Sequence, residues 1–126
     1  MKIAFVSDDH STISLHFGRA LFYEVVSIEE GSVVKSETRN KSNPQWIASL
    51  NDTTLNNDLH HQHDHSAMII PIEDCEVLIS RGMGRAAHVS LQEHDIQPII
   101  TEIVEIVIAI QAFIDGTIQD HPEKLH

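Results

Sequence analysis

The sequence predicts an α/β fold with a mixed sheet in one domain, residues 1–126, and three observations predict it. First, 126 residues with 41% hydrophobic side chains can build one core but not two. Second, the first third contains three β-branched runs separated by turn residues, which is typical of a meander. Third, strand-like and helix-like segments alternate in the second half, which favours crossover units. The predicted order is β-β-β-loop-α-β-α-β-α.

The first three strands follow from apolar runs and turn residues. Residues 3–6 are apolar and end at the turn-forming cluster 7–9, as expected for a buried strand. Residues 21–28 are β-branched and aromatic, and the turn at 29–31 leads into a similar run at 32–38. These two runs predict an antiparallel hairpin.

A long polar segment follows at residues 40–65, where Asn, Ser, Thr, Asp, Gln and His predominate. Loops of this length are uncommon inside compact domains and are usually functional or disordered. We therefore predict an Asn/His-rich loop within the domain.

The first crossover unit begins after that loop. Residues 66–74 predict a short helix whose length Pro71 limits, because proline lacks the amide donor that a helix interior needs. Residues 75–80 predict a strand, which runs into a glycine-rich turn at 81–85. Apolar residues then recur every three or four positions over 86–94, so this segment predicts a helix.

The last strand and helix complete the pattern. Residues 97–100 predict a short strand, and residues 101–115 are too long for a typical strand. Thr101 can serve as the N-cap of a helix and Gly116 as its left-handed C-cap. We favour a helix here, while the high β-branched content leaves a strand as the alternative.

The order of elements also predicts where a ligand would bind. If right-handed crossovers make the fourth strand parallel to the first, both strands end at the same edge of the sheet, here called the carboxyl edge. The turn at 16–19, the start of the polar loop and the turn at 81–85 should then meet there. Ligands of open α/β sheets usually bind outside the carboxyl ends of the strands.

Charge and composition exclude several classes of function. A net charge of −11 with only 8 Lys and Arg disfavours nucleic acid, whose affinity for proteins comes chiefly from those cations. The single Cys excludes an internal disulfide and a Cys-only zinc site. The apolar start is too short for a signal peptide, and no run reaches membrane-spanning length. We expect a cytoplasmic protein whose partners are a metal, a metal cluster or another protein.

Several motifs in this order resemble the dinitrogenase iron-molybdenum cofactor-binding family. They are the acidic turn after the first strand, H-F-G-R at 16–19, the His-rich loop, the Asp-Cys strand entry, G-M-G-R at 82–85 and the final helix ending in Asp-Gly. The resemblance covers nearly the whole chain. It implies a sheet of ribonuclease-H-like topology and non-catalytic binding of an iron-sulfur or iron-molybdenum-type cluster. Cluster donor and acceptor proteins would be the partners.

His16, Gly18 and Arg19 are candidate cofactor-binding residues. Imidazole is a common ligand of transition metals, and an adjacent guanidinium could hold the anionic part of a cluster. The alternative is structural: His16 would hydrogen-bond the backbone to fix the turn, Phe17 would pack in the core, and Gly18 would supply a left-handed conformation.

Arg81, Gly82, Met83, Gly84 and Arg85 form a candidate anion-binding turn. Glycines let backbone amides approach a ligand closely, and the following helix N-terminus adds partial positive charge. Two arginines flank the glycines in an Arg-poor chain. The alternative is a tight turn that merely needs small residues. The turn at 81–85 does not open a dinucleotide-binding motif, because position 87 is Ala where that motif requires a third glycine.

Four histidines of the polar loop, His60, His61, His63 and His65, are candidate ligands of a divalent metal ion. An extended chain places the last three on one face, and a helix pairs the first with the third and the second with the fourth. Either conformation offers pairs of imidazoles, and the alternative is a solvated, mobile tract.

Cys75 begins the fourth strand, opposite the carboxyl edge, so we exclude it although thiolates commonly hold iron-sulfur clusters. Asp8 and Asp9 with His16 could serve a metal-dependent hydrolase, but two-metal sites need carboxylates from several strands. The function predicted is therefore a non-catalytic cluster carrier or scaffold. The alternatives are divalent-metal buffering by the histidine loop and, less favoured, hydrolysis.

Overall fold

The computed structural model describes residues 1–18, 20–40 and 69–125, so nearly all of the predicted polar loop lies outside the described residues. Five strands and two α-helices are present in the described ranges. They are β1 (Lys2–Ser7), β2 (Phe22–Glu29), β3 (Ser32–Asn40), β4 (Val77–Ser80), α1 (Arg85–Glu93), β5 (Gln97–Ile100) and α2 (Ile106–Asp115). Short 3-10 turns lie at Ile70–Ile72 and Pro122–Lys124.

The strands form one mixed sheet in the order β3-β2-β1-β4-β5. β1 pairs antiparallel with β2, and β2 with β3, whereas β4 is parallel to β1 and β5 is parallel to β4. The predicted α/β fold, a meander followed by crossover units, is therefore confirmed. The ribonuclease-H-like label stays a prediction.

The central strand and the hairpin explain why the sequence folds this way. Ile3 to Val6 are completely buried, because β1 lies in the middle of a sheet covered on both faces. Glu30 and Gly31 both have positive φ angles, 53° and 77°, as in a type I′ turn. Such turns match the right-handed twist of the strands that they join.

The helix predicted over 66–74 is only partly described. Residues 66–68 lie outside the described ranges. Ile69 is helical, and it is followed by the short 3-10 turn at Ile70–Ile72 and by turn residues at 73–74. Pro71 stands in the first turn of this segment, where its missing amide costs least. Ile69 and Ile72 are fully buried beside it, so packing on the sheet fixes this compact connection.

The final helix is confirmed as a helix, but the prediction that it begins at Thr101 is wrong. The amide of Thr101 donates to Ser80 O (2.9 Å), and Val104 O accepts from Ile13 N (2.8 Å). Thr101 and Val104 therefore bond to neighbouring segments, Glu105 has an extended backbone, and α2 begins at Ile106. Gly116 ends it with φ 75°, the predicted left-handed C-cap.

Asp74 fastens the segment before β4 to the meander. Its carboxylate accepts from Arg39 Nη1 (2.7 Å) and from Lys2 Nζ (2.8 Å), and Arg39 also pairs with Glu37. The Arg39 guanidinium, followed by the Lys2 ammonium, holds the pKa of Asp74 well below its usual range. This exposed network joins residues that are 35 and 72 positions apart.

Asp74→Asn is expected to lower the free energy of unfolding at neutral pH by about 1 kcal/mol or less, because exposed ion pairs are well screened. Since the folded-state pKa is depressed, this stabilisation is present above about pH 4, the ordinary Asp pKa, and is lost as pH falls through the folded pKa. Urea unfolding from neutral to acid pH should show wild type and variant converging. Glu76→Gln, at an exposed position near the same strand, is the control. A difference that persists at the lowest pH would contradict this.

Candidate functional site

The loop after β1 is folded around two polar side chains. Ser7 is fully buried, and its hydroxyl donates to Thr12 O (2.7 Å) and accepts from His10 N (2.9 Å). Asp9 Oδ1 accepts from the amides of Ser11 (3.0 Å) and Thr12 (2.8 Å). These backbone hydrogen bonds to Thr12 and Ser11 hold the pKa of Asp9 well below its ordinary value. The Asp9 carboxylate therefore organises the turn.

Asp8 closes the other end of this loop. Its Oδ1 accepts from Leu21 N (2.9 Å), immediately before β2. Both adjacent carboxylates are thus bonded to the backbone of the loop that they belong to. This arrangement does not favour the hydrolase alternative, which would need Asp8 and Asp9 as metal ligands.

His16 is presented at the surface by its backbone. Its amide donates to Ser14 Oγ (3.1 Å), and its carbonyl accepts from Ala20 N (3.1 Å). The imidazole is exposed and makes no hydrogen bond to any described residue. Hydrogen bonds of the His16 main chain, and none from its imidazole to a described residue, therefore fix the turn.

Phe17 anchors the loop in the core, whereas the next residue, Gly18, is exposed. Phe17 is 1% exposed, with its ring 6.3 Å from that of Tyr23. The predicted packing of Phe17 in the core is confirmed. The suggested left-handed conformation at Gly18 is wrong, since its φ lies outside that region. A Cβ built on Gly18 would meet no atom within 4 Å, so neither backbone nor neighbours require glycine there. Arg19 lies outside the described residues.

Two hydrogen bonds join this loop to the turn after β4. Arg81 N donates to Ser14 O (3.0 Å), and Phe17 N donates to Gly82 O (3.1 Å). The convergence of these two segments at the carboxyl edge is therefore confirmed. The third predicted segment, with His60, His61, His63 and His65, lies outside the described residues.

Ser80, the last residue of β4, holds the turn at 81–85 in place through its side chain. Its hydroxyl is fully buried, donates to Gly82 O (2.7 Å) and accepts from Gly82 N (3.1 Å). The Gly82 amide is therefore occupied within the fold and does not point at a ligand. Met83 is 1% exposed and packs in the core, beside an isolated bridge to Leu125.

The end of the turn leads directly into α1. Gly84 is the N-cap of α1, with an extended backbone (φ −83°, ψ 163°) and no side-chain cap. The first turn of α1 contains no acidic residue, so no carboxylate of the helix offsets the positive end of its dipole. Arg85 is the first residue of this helix and is exposed.

Arg81 and Arg85 differ from the other cations that the structure describes. Six Lys and Arg residues fall in the described ranges, and four of them pair with carboxylates: Lys2, Lys35, Arg39 and Lys124. Arg81 and Arg85 have no such partner among the described residues. The two guanidinium groups without a described counter-charge therefore flank the turn in a chain of net charge −11.

Sequence reasoning missed a contact beside this loop. His10 has a positive φ of 70°, its Nδ1 lies 2.6 Å from Glu24 Oε2, and its ring stacks on Phe22 with centroids 4.2 Å apart. Thr38 Oγ1 also donates to Glu24 (2.9 Å). The two-residue alternation of β2 places Phe22 and Glu24 on one face, but nothing local predicts that His10 reaches them.

The segment after α2 was also missed. His121 N donates to Ile100 O (2.8 Å), and Asp120 Oδ1 accepts from Ile100 N (2.9 Å). Leu125 then bridges to Met83. The chain thus returns to the carboxyl edge after its last helix, next to the glycine-rich turn.

Cys75 lies away from these loops and is buried, as expected from its position before β4. Burial, followed by the nearby Asp74 carboxylate, raises the pKa of the thiol to about 12. Thiolate is the form that binds metals, so this thiol is poorly suited to hold a cluster.

Cys75→Ala is therefore expected to leave ligand retention at the carboxyl edge unchanged, while wild-type Cys75 reacts slowly with iodoacetamide under native conditions. Mass spectrometry of alkylation before and after urea unfolding checks the reactivity, and metal analysis checks the retention. Loss of bound metal in Cys75→Ala, with the fold intact by circular dichroism, would contradict the exclusion of Cys75.

Residues 1–18, 20–40 and 69–125 contain no group of three or more His, Cys, Asp and Glu side chains placed to hold a metal ion. No helix in these ranges is both long and apolar enough to cross a membrane.

Comparisons with known proteins agree with this architecture. Similar solved structures include a provisionally assigned dinitrogenase from Methanocaldococcus jannaschii (16% identity, 96% of this chain and 94% of that one, TM-score 0.66). The apo orange protein from Desulfovibrio gigas is 22% identical over 95% and 92% of the chains, with a TM-score of 0.65. A provisionally assigned NifB protein from Thermotoga is 20% identical over 94% and 91%, with a TM-score of 0.58.

At these identities the structural likenesses show a shared fold. A comparison with curated proteins finds no match. Residues 1–116 match the family model described as dinitrogenase iron-molybdenum cofactor. The chain belongs to the dinitrogenase iron-molybdenum cofactor family.

Proposed function

We propose that the protein is a non-catalytic carrier or scaffold that binds an iron-sulfur or iron-molybdenum-type cluster at the carboxyl edge. The pair Arg81 and Arg85 carries this proposal, because neither has a carboxylate partner among the described residues. The two arginines flank a turn that is hydrogen-bonded to the loop between β1 and β2 (residues 8–21), here called the His16 loop. Family membership associates the chain with an iron-molybdenum cofactor.

The side chains at this edge suit an anionic cluster better than a bare metal ion. Guanidinium groups form strong charge-assisted hydrogen bonds to anions, and the uncapped N-terminus of α1 adds partial positive charge. His16 would supply one imidazole donor, with Arg19 and the loop histidines as further candidates. Because Cys75 is remote and buried, the cargo would be held without a thiolate of this chain.

Gly18 supports close approach of the cargo. Glycine there is explained neither by a left-handed backbone nor by crowding, because a Cβ would enter open space. A ligand seated against the loop would account for the small residue. Cluster donor and acceptor proteins are the partners that a carrier of this kind would serve.

Anaerobic reconstitution with iron and sulfide tests the proposal. Wild type, His16→Ala and a deletion of residues 60–65 are compared by absorption spectroscopy and by metal and sulfide analysis. We expect wild type to retain a cluster with stoichiometric sulfide, His16→Ala to retain less, and the deletion to retain at least part.

Two outcomes would contradict a specific carrier. Failure of wild type to retain any iron with bound sulfide would remove the proposed site. Unchanged metal binding in His16→Ala, together with loss in the deletion and no bound sulfide, would instead indicate divalent-metal binding by the histidines.

A further inference from the structure

Helix α2 is unusually apolar for a surface helix. Only Ile106 and Ala109 are fully buried among its residues. Val107 is 71% exposed and Ile108 52% exposed, and Val104, just before the helix, is 44% exposed. Val107 and Ile108 are consecutive residues in the first turn of the helix, and Val104 lies two residues before it. We call the surface that bears these three exposed side chains the α2 face.

Packing among the described residues does not explain why the α2 face is apolar. Val and Ile are poorer helix formers than Ala, Glu or Lys, so they do not serve helix formation. Exposed as they are, their side chains contribute little to the core. Neighbouring exposed apolar side chains on one surface typically mark a site of protein interaction.

The α2 face begins beside the His16 loop. Ile106 N donates to Ser11 O (3.0 Å), and Val104 O accepts from Ile13 N (2.8 Å). Thr12 and Glu105 form a β-bridge between these hydrogen bonds. A protein docked on the α2 face would therefore lie next to the loop that presents His16.

Charge at the two ends of the face decides between occupants. Glu105 precedes the helix and Asp115 ends it, and both are exposed. The last turn contains no basic residue, so Asp115 adds negative charge to the negative end of the helix dipole. Against a second copy, an antiparallel helix pair would place Glu105 near the other Asp115, and a parallel pair would place like residues together.

We propose that the α2 face docks a partner protein that presents an apolar seam flanked by lysines or arginines. Such a partner buries Val104, Val107 and Ile108 and places cations against Glu105 and Asp115. Two copies of a chain with net charge −11 would instead bring like charges together. This inference does not depend on which ligand occupies the carboxyl edge.

The test uses a synthetic helical peptide of leucine and lysine, about three heptads long with leucine at the a and d positions. A peptide of the same composition but scrambled order keeps the charge and loses the seam. Titration into isotope-labelled protein, followed by NMR, reports both affinity and location. Sedimentation of the protein alone reports self-association.

We expect monomeric wild type, with shift changes centred on residues 104–115 and on the adjoining loop at 11–13. Replacing both Val107 and Ile108 with Ser should weaken peptide binding about tenfold or more, because two apolar contacts are lost. Val89→Ser, at a similarly exposed valine of α1, is the matched control and should bind like wild type.

Each contrary result overturns the proposal. Equal binding of the scrambled peptide, shifts outside the α2 face, or no binding of the ordered peptide would contradict an apolar seam with basic flanks. Equal weakening by Val89→Ser would show that any exposed valine suffices. A wild-type dimer that the double variant dissociates would identify the occupant as a second copy.

Discussion

Replacing Arg81 and Arg85 together with Gln is expected to weaken cluster binding about a hundredfold. Each charge-assisted hydrogen bond contributes about 1.5–3 kcal/mol, so losing one bond from each arginine gives at least this factor. Neither guanidinium has a carboxylate partner among the described residues, so their removal leaves no described carboxylate without its counter-ion. The variant should therefore fold normally and lose the ligand. Anaerobic reconstitution followed by competition with a chelator measures the affinity.

Lys35→Gln provides the matched control for this prediction. It removes one positive charge from the opposite end of the sheet, where the Lys35 ammonium pairs with Glu37 (3.8 Å). We expect a change of less than about twofold in cluster retention, in keeping with the screening of a distant exposed charge. Comparable losses in both variants would mean that net charge governs binding, and that the turn after β4 has no special part in it.

The regular elements could be predicted because their signals are local or follow from general topology. The four apolar residues at 3–6 identify a strand buried on both faces, and β1 is central in the sheet. The Glu-Glu-Gly turn identifies the hairpin. The handedness of crossovers then makes β4 parallel to β1, which brings Arg81 beside the loop that carries His16.

Other features depend on contacts between distant residues. Thr101 has the chemistry of an N-cap, but Val104 and Glu105 pair with the segment at 12–13, so α2 starts later. Likewise, the carboxylates of Asp8 and Asp9 are adjacent in sequence, yet each is taken up by a backbone amide that only the folded loop presents. Propensity alone cannot decide between such competing partners.

The lack of a described carboxylate partner for Arg81 and Arg85 also depends on contacts between distant residues. Lys2 and Arg39 are equally basic in the sequence, but both meet Asp74 across the fold. Which cations keep a carboxylate partner is decided by tertiary structure. The sequence predicts where the arginines lie, and the ion pairs of the other four described cations distinguish these two from them.

Phe17→Ala is expected to lower the free energy of unfolding by about 3–5 kcal/mol, as for other fully buried aromatic residues. Phe17 is 1% exposed and packs near Tyr23, so truncation leaves a cavity beneath the His16 loop. Urea unfolding followed by circular dichroism measures the change. Leu21→Ala, at a nearby apolar position that is 58% exposed, should change stability by less than about 0.5 kcal/mol.

Phe17→Leu separates the anchoring of the loop from the stability of the whole fold. Leucine keeps most of the apolar contact, so we expect a smaller loss of stability and a folded protein in which ligand binding can still be measured. Because Phe17 N bonds to Gly82 O and the side chain holds the adjacent residue His16 in place, cluster retention should fall in the order wild type, Phe17→Leu, Phe17→Ala. If both variants stay folded and bind the cluster like wild type, His16 does not depend on this anchor. The cluster would then be held by the arginine turn without the His16 loop.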